Sequence, residues 1–68
     1  MKVSARNAFP GKIVEIKKGA TTAHVVLDVN GLTVTASITN EAVDDLGLKV
    51  GGDATAIVKS SEVIIAVD

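Results

Sequence analysis

Hydrophobic and polar residues alternate along most of the chain with the period of two that is typical of strands with one buried face. Between Leu32 and Ile38, apolar residues take every even position and Thr or Ser every odd one. Val, Ile and Thr, whose branched side chains favour extended structure, supply 23 of the 68 residues. The pattern predicts six strands, near Val3 to Arg6, Gly11 to Lys17, Ala23 to Val29, Leu32 to Ile38, Ala54 to Lys59 and Glu62 to Val67.

The pair Asn30-Gly31 stands between two of these alternating runs. Both residues tolerate the positive φ that a two-residue hairpin turn requires. The strands on either side are therefore predicted to pair as an antiparallel hairpin, with one face of the second strand on the core.

The alternation stops after residue 38, and the next stretch predicts a short helix from Thr39 to Leu46. Thr39 or Asn40 can cap its start, and Gly47 suits its end. Val43 and Leu46, three residues apart, are expected to face the sheet. The fold class is therefore mostly β, a small OB-like barrel of five to six strands with one short helix, in a single domain spanning residues 1–68.

A chain of 68 residues has little room for a core of its own. Chains of this size usually gain stability from disulfides, a structural metal or oligomerisation, and this one has no cysteine and a single histidine. Its last two predicted strands carry apolar residues on both faces, which implies that another subunit covers the outer face. We expect a homo-oligomer with Ile57 and Ile64 in or near the subunit contacts.

Charge and composition argue against several kinds of partner. The net charge is −1 and Phe9 is the only aromatic residue, whereas single-strand nucleic-acid binders use basic grooves and several aromatic platforms. No apolar run approaches the roughly 20 residues of a membrane span. The polar residues Ser4, Arg6 and Asn7 stand where a secretory signal would have its apolar core. We expect no nucleic-acid partner, no membrane partner and a cytoplasmic location.

Residues suited to catalysis are scarce. His24 stands alone in a predicted strand, and the adjacent Asp44 and Asp45 belong to a solvated helix face. Gly51-Gly52 lacks the spacing and the Lys of a phosphate-binding loop. We expect no enzyme activity, no cofactor and no residue that ligates a metal directly.

A set of hydrogen-bond donors remains, at Ser4, Arg6 and Thr39 and in the run Lys59-Ser60-Ser61. Arg and Lys supply charge-assisted bonds, hydroxyls orient the remaining oxygens, and a helix N-terminus offers free N–H groups. These donors suit an anion. The alternative is that these residues bind nothing: Ser4 and Thr39 would then be helix caps, and Arg6 and Lys59 would be ordinary surface charges.

Several short motifs stand at fixed separations over nearly the whole chain. They are Ser4-Ala5-Arg6-Asn7, Gly11-Lys12-Ile13-Val14-Glu15-Ile16, Ala36-Ser37-Ile38-Thr39, Leu46-Gly47-Leu48 and Val58-Lys59-Ser60. Together they resemble the Mop family of molybdate-binding proteins, the molbindins. The resemblance implies a small barrel, and free-standing members of that family form hexamers.

The resemblance implies an oxyanion at a subunit boundary. Donors matching Ser4 and Arg6 would lie on one chain and those matching Thr39, Lys59 and Ser60 on its neighbour, with a backbone N–H from Ala42. Many relatives have alanine where this chain has Ser60.

Family members also have sites on symmetry axes, for which the turn Ala20-Thr21-Thr22 is the candidate here. The implied function is binding of molybdate or tungstate for intracellular storage, buffering or delivery of molybdenum. The alternatives are a nucleic-acid-binding OB-like barrel and a purely structural oligomerisation module.

Overall fold

A computed structural model describes residues 1–68, and it shows a curled four-stranded sheet with one short helix against it. The strand order is β3-β2-β1-β4, and every pair is antiparallel. The sheet forms a partly closed half-barrel of four strands, where an OB-like barrel of five to six strands was predicted. Its elements are β1 (Asn7–Lys18), β2 (Thr22–Val29), β3 (Leu32–Thr39), α1 (Asn40–Asp45), β4 (Asp53–Val58) and a single 3-10 turn, Ser60–Glu62.

Strand β1 holds the sheet together because it pairs with two partners in succession. Its first half pairs with β4, from Asn7 opposite Val58 to Lys12 opposite Asp53. Its second half pairs with β2, and a register shift after Ile13 bends the strand between the two pairings. β1 is therefore longer than the predicted strand from Gly11 to Lys17, and it makes the sheet curl.

The hairpin between β2 and β3 confirms the prediction. Asn30 has φ 49° and Gly31 has φ 91°, as the tight turn requires. The Gly31 N–H donates to the Asp28 carboxylate over 3.0 Å, and the ladder starts at Val29 opposite Leu32. Local sequence alone was enough to fix this register.

The core is small and centres on β2. Six residues are buried, and all are aliphatic. The predicted inner face of β3 is confirmed from Val34 to Ile38, whereas Leu32 at the hairpin end is 70% exposed. Alternate residues of β2 supply four of the six: Ala23, Val25, Leu27 and Val29, joined by Ile13 and Val43.

Helix α1 closes one end of this core. Its N-cap is Thr39, as predicted, and Gly47 just after its end has φ 62°. Val43 is buried. Leu46, the C-cap, lines the same apolar groove as Val34 and Ile38 of β3, so it lies toward the sheet as predicted, but it remains 69% exposed. Neither this helix nor the 3-10 turn is long and apolar enough to cross a membrane.

The predicted strands at the two termini are wrong as strands of the isolated chain. Residues 3–6 precede β1 without joining a ladder, and residues 63–68 follow the 3-10 turn without a pairing partner. Alternation makes a segment suitable for a sheet, but a strand also needs a neighbour for its backbone N–H and C=O groups. This chain offers none at those places.

Gly11 lies where β1 passes from one partner to the other, and a Cβ there would stand 2.5 Å from the carbonyl oxygen of Asp28. Replacing Gly11 with Ala should therefore lower the free energy of unfolding by about 1–3 kcal/mol, as overpacking does. Urea denaturation at a fixed protein concentration measures it. Lys17→Ala, at an exposed position of the same strand, is the control, and equal losses in the two variants would contradict the close approach.

Candidate functional site

Three of the predicted donors lie at one end of the pairing between β1 and β4. The last pair of this ladder is Asn7 opposite Val58, and Arg6 and Lys59 are the residues immediately outside it. Ser60 follows Lys59. The register therefore brings residues from the two ends of the sequence to the same end of the sheet.

Arg6 and Lys59 form two cations at neighbouring positions without a counter-ion. Both are exposed and neither makes a salt bridge. Two other cations are neutralised, since Lys12 pairs with Asp53 and Lys18 pairs with Asp44. Like charges brought to the same end of a sheet repel each other. An anion between Arg6 and Lys59 would relieve this repulsion and accept charge-assisted hydrogen bonds from both.

Asn7 organises the same end of the sheet. Its side-chain amide donates to the carbonyl oxygen of Val58 at 3.3 Å and to the hydroxyl oxygen of Ser60 at 3.5 Å. Ser60 keeps its own O–H for a further acceptor. Ser4, two residues before Arg6, is exposed and caps no helix. Asn7 belongs to the quoted Ser-Ala-Arg-Asn motif but was not predicted as a site residue, and only the tertiary contact assigns it a role.

Thr39 and Ala42 lie at the opposite end of β1. Thr39 pairs with Thr22 on β2, next to the end of β1 at Lys18. The Ala42 N–H donates to the Thr39 hydroxyl oxygen over 3.0 Å. The Ala42 N–H, predicted to bind the anion, is therefore already hydrogen-bonded within the chain. Thr39 is the N-cap of α1, and its hydroxyl proton can still be donated to another acceptor.

Within one chain, Lys59 and Ser60 lie at the same end of the ladder between β1 and β4 as Arg6. This group and the pair of Thr39 and Ala42 stand at opposite ends of a 12-residue strand. A single chain cannot close both groups around one small anion. The predicted sharing of donors between two chains stays a prediction.

The predicted turn at Ala20-Thr21-Thr22 is present, and it borders a basic depression. The Gly19 N–H donates to the carbonyl oxygen of Thr22 at 2.7 Å. Asn40 holds the turn from the side, donating through its amide to Gly19 and through its backbone to Thr21, both at 2.9 Å. The depression has a volume of about 210 Å³, and its lining includes Lys17, Lys18 and His24, none of which was predicted as a binding residue.

The largest depression is chemically unsuited to an anion. It measures about 370 Å³ and includes Asp28 and Asp53. Its one cation, Lys12, already pairs with Asp53, and Asp28 accepts from the hairpin turn. Two carboxylates beside a neutralised lysine repel a dianion.

The residues considered for catalysis do not converge. His24 lies exposed on β2, and Asp44 is bound to Lys18 through an Nζ to Oδ1 contact of 2.7 Å. No three His, Asp or Glu side chains come close enough together to hold a metal ion. The arrangement at Arg6 and Lys59 can hold an anion, but it places no base beside a nucleophile.

Comparison with known proteins identifies the family of this chain. The model of the TOBE domain matches residues 3–65. Molybdenum-pterin-binding protein 3 of Clostridium pasteurianum is 47% identical over 66 residues, which cover 96% of this chain and 97% of that protein.

Two solved structures share the fold. A molybdate binding protein from Sporomusa ovata is 39% identical with a TM-score of 0.92, covering 97% of this chain and 98% of that one. The cytoplasmic molybdate-binding protein ModG, in a form with molybdate bound, is 43% identical with a TM-score of 0.90, covering 94% of this chain and 46% of that one. The resemblance seen in the sequence motifs is thereby confirmed, and the chain belongs to the TOBE domain family and to the small molybdenum-pterin-binding (Mop) proteins.

Proposed function

We propose that this chain binds molybdate or tungstate reversibly, with Arg6 and Lys59 as the two cations that hold the ion. The observation that carries the proposal is the juxtaposition of these two unpaired cations at the end of β1 and β4. The names of the relatives support the choice of ion, because they describe binding of molybdate or of a molybdenum pterin.

The donor set matches the chemistry of the ion. Molybdate is a fully deprotonated dianion near neutral pH, so all four of its oxygens act only as acceptors. Arg6, Lys59 and the hydroxyls of Ser4 and Ser60 can each donate to it. Phosphate keeps a proton that needs an acceptor, and a site made of donors leaves that proton unsatisfied. Sulfate carries the same charge as molybdate and is smaller, so its rejection rests on the size of the pocket.

The complete site takes residues from two chains. Thr39 ends β3 beside the far end of β1 and does not reach Arg6 of its own chain, so in this proposal a neighbouring chain supplies it. The Ala42 N–H acts indirectly, because it fixes the Thr39 hydroxyl oxygen while the hydroxyl proton points to the anion. The assembly is a homo-oligomer, and the hexamer implied by the Mop resemblance is the expected size. The turn at Ala20-Thr21-Thr22 is the candidate second site.

In the cell, this binding serves storage, buffering or delivery of molybdenum and not turnover. The proposed location is the cytoplasm, which the description of the relative ModG as cytoplasmic supports. Molybdate and tungstate have the same charge and shape, so the donor set predicts that both bind.

Titration calorimetry with the oligomeric protein tests the function directly. Molybdate and tungstate should give saturable heats, and phosphate at matched ionic strength should give none that saturates. A flat trace with all oxyanions would show a purely structural module. Binding of single-stranded oligonucleotides that weakens steeply with salt would support a nucleic-acid barrel instead.

Replacing Lys59 with Met keeps most of the apolar stem but removes one of the two cations. Molybdate binding should weaken by about 2–5 kcal/mol, as when one partner of a desolvated charge pair is lost, while the fold is retained. Lys49→Met is the matched control, because Lys49 is exposed and unpaired in the connection from α1 to β4. If Lys59 were only a surface charge, its loss would cost at most about 1 kcal/mol, and equal affinities in the two variants would remove it from the site.

Bound molybdate should also stabilise the assembly against heat. An ion held between chains binds only the assembled state, so each tenfold rise in free ligand above Kd adds about 1.4 kcal/mol at 25 °C. Differential scanning calorimetry at constant protein concentration should show Tm rising with the logarithm of molybdate or tungstate concentration. An equal rise with phosphate at matched ionic strength would reduce the effect to general charge screening.

A further inference from the structure

Asn7 stands between the two unpaired cations of the proposed site. It directly follows Arg6, and in the ladder it lies opposite Val58, the residue before Lys59. Beyond this pair, no further pair of the ladder joins the two segments. Arg6 and Lys59 are exposed, whereas Asn7 is half-buried at the point where the backbone pairing ends. Its side chain is therefore placed to act on both ends of the chain.

The side-chain amide of Asn7 bridges the two segments. Its Nδ2 donates to the carbonyl oxygen of Val58 at 3.3 Å and to the hydroxyl oxygen of Ser60 at 3.5 Å. The carbonyl of Val58 can only accept, so the NH₂ group of the amide, and not its oxygen, must lie on this side. The same NH₂ group therefore faces Ser60, and the direction of the longer bond follows from the shorter one.

The hydroxyl of Ser60 makes a single hydrogen bond in the chain, the one from Asn7. The 3-10 turn that begins at Ser60 is closed by backbone groups, since the Glu62 N–H donates to the carbonyl oxygen of Lys59 at 2.8 Å. No side chain caps the start of this turn, and Ser60 is exposed. Its hydroxyl is therefore open to a ligand and is held from the protein side by Asn7.

A serine hydroxyl has one proton to donate and two lone pairs that accept. Because Asn7 presents a donor, a lone pair of Ser60 must face Asn7, and the proton must point elsewhere. An accepted hydrogen bond also polarises the hydroxyl, which makes its proton a better donor. Thr39 is held in the same way, because its hydroxyl oxygen accepts from the Ala42 N–H at 3.0 Å. In both hydroxyls an internal nitrogen donor engages the oxygen and leaves the proton for an outside acceptor.

We propose that Asn7 is a positioning residue of the oxyanion site and fixes the hydroxyl of Ser60 as a donor to the bound ion. Asn7 does not touch the ion itself. Without its amide the hydroxyl could rotate, and one rotamer would turn both lone pairs toward the oxyanion, which repels them. The inference rests on the proposed function and adds to it how one donor is oriented before the ion binds, which reduces the entropy lost on binding.

A double-mutant cycle separates this role from a general structural one. Asn7→Leu removes the amide at nearly constant volume, and Ser60→Ala removes the hydroxyl. In titration calorimetry of the oligomeric protein, each single change should weaken molybdate binding by about tenfold, as the loss of one hydrogen bond to a charged group does. In the Ser60→Ala background, Asn7→Leu should add less than about twofold, because the hydroxyl that it orients is gone. Equal losses from Asn7→Leu in both backgrounds would overturn the proposal.

Asn7→Asp reverses the direction of this bond while the side chain stays nearly isosteric. A carboxylate can only accept, so it would draw the Ser60 proton toward itself and turn the lone pairs toward the ion. It also adds a negative charge near the site, and the same change in the Ser60→Ala background measures that effect alone. Asn7→Asp should therefore cost at least about threefold more molybdate affinity in the natural background than with Ser60→Ala. The same loss in both would show an effect of charge only and would overturn the proposal.

Nuclear magnetic resonance of the ligand-free, isotope-labelled protein gives a readout that needs no change at Asn7. Ser60→Ala should shift the side-chain amide signals of Asn7, and Ser61→Ala, at the exposed next position of the turn, should leave them in place. Amide signals that respond alike to both changes would overturn the proposal, even where Asn7→Leu fails to fold. A flat calorimetric trace with the natural chain would instead refute the proposed function and every role at the ion with it, so the two failures can be told apart.

Discussion

The double pairing of β1 is the constraint on which the rest of this structure depends. The first half of this 12-residue strand pairs with β4 and its second half pairs with β2. β2 also pairs with β3 on its other side. The bend after Ile13 and the lack of a side chain at Gly11 let the strand change partners at close range. The same curl leaves β3 and β4 as the two edges of an unfinished barrel.

The proposed binding chemistry follows from this pairing. The first half of β1 aligns the two ends of the chain in antiparallel register, and this places Arg6 next to Lys59 although they are distant in sequence. Arg6 and Lys59 make no salt bridge, whereas Lys12 and Lys18 are neutralised by carboxylates, so two unopposed cations flank the end of this ladder. A protein with a net charge of −1 can thus attract a dianion locally without attracting polyanions in general.

The small core has a consequence for assembly. Only six residues are buried, and large apolar side chains remain exposed on Leu46, on Ile57 and along the C-terminal segment. Such surface is a liability for a monomer and an ordinary interface for an oligomer. Anion sites shared between chains, as proposed above, would tie the stability of the fold to association.

Sequence by itself determined the features that depend on near neighbours. The hairpin at Asn30-Gly31 follows from backbone φ preferences, and the helix after Thr39 follows from a cap, a stop and a break in alternation. The inner face of β3 follows from the period of two. The motifs around Arg6, Thr39 and Lys59 were enough to indicate the Mop family, because their separations match over nearly the whole chain.

Only the tertiary structure decided how these pieces meet. The register between β1 and β4 put Lys59 and Ser60 beside Arg6, and a hydrogen bond to Thr39 engaged the Ala42 N–H that had been assigned to the anion. The terminal alternating segments have the pattern of strands but no partner within the chain. The register between strands and the closure of the sheet depend on residues that are far apart in the sequence. A local pattern of polar and apolar residues does not specify which distant strand edge a segment will pair with.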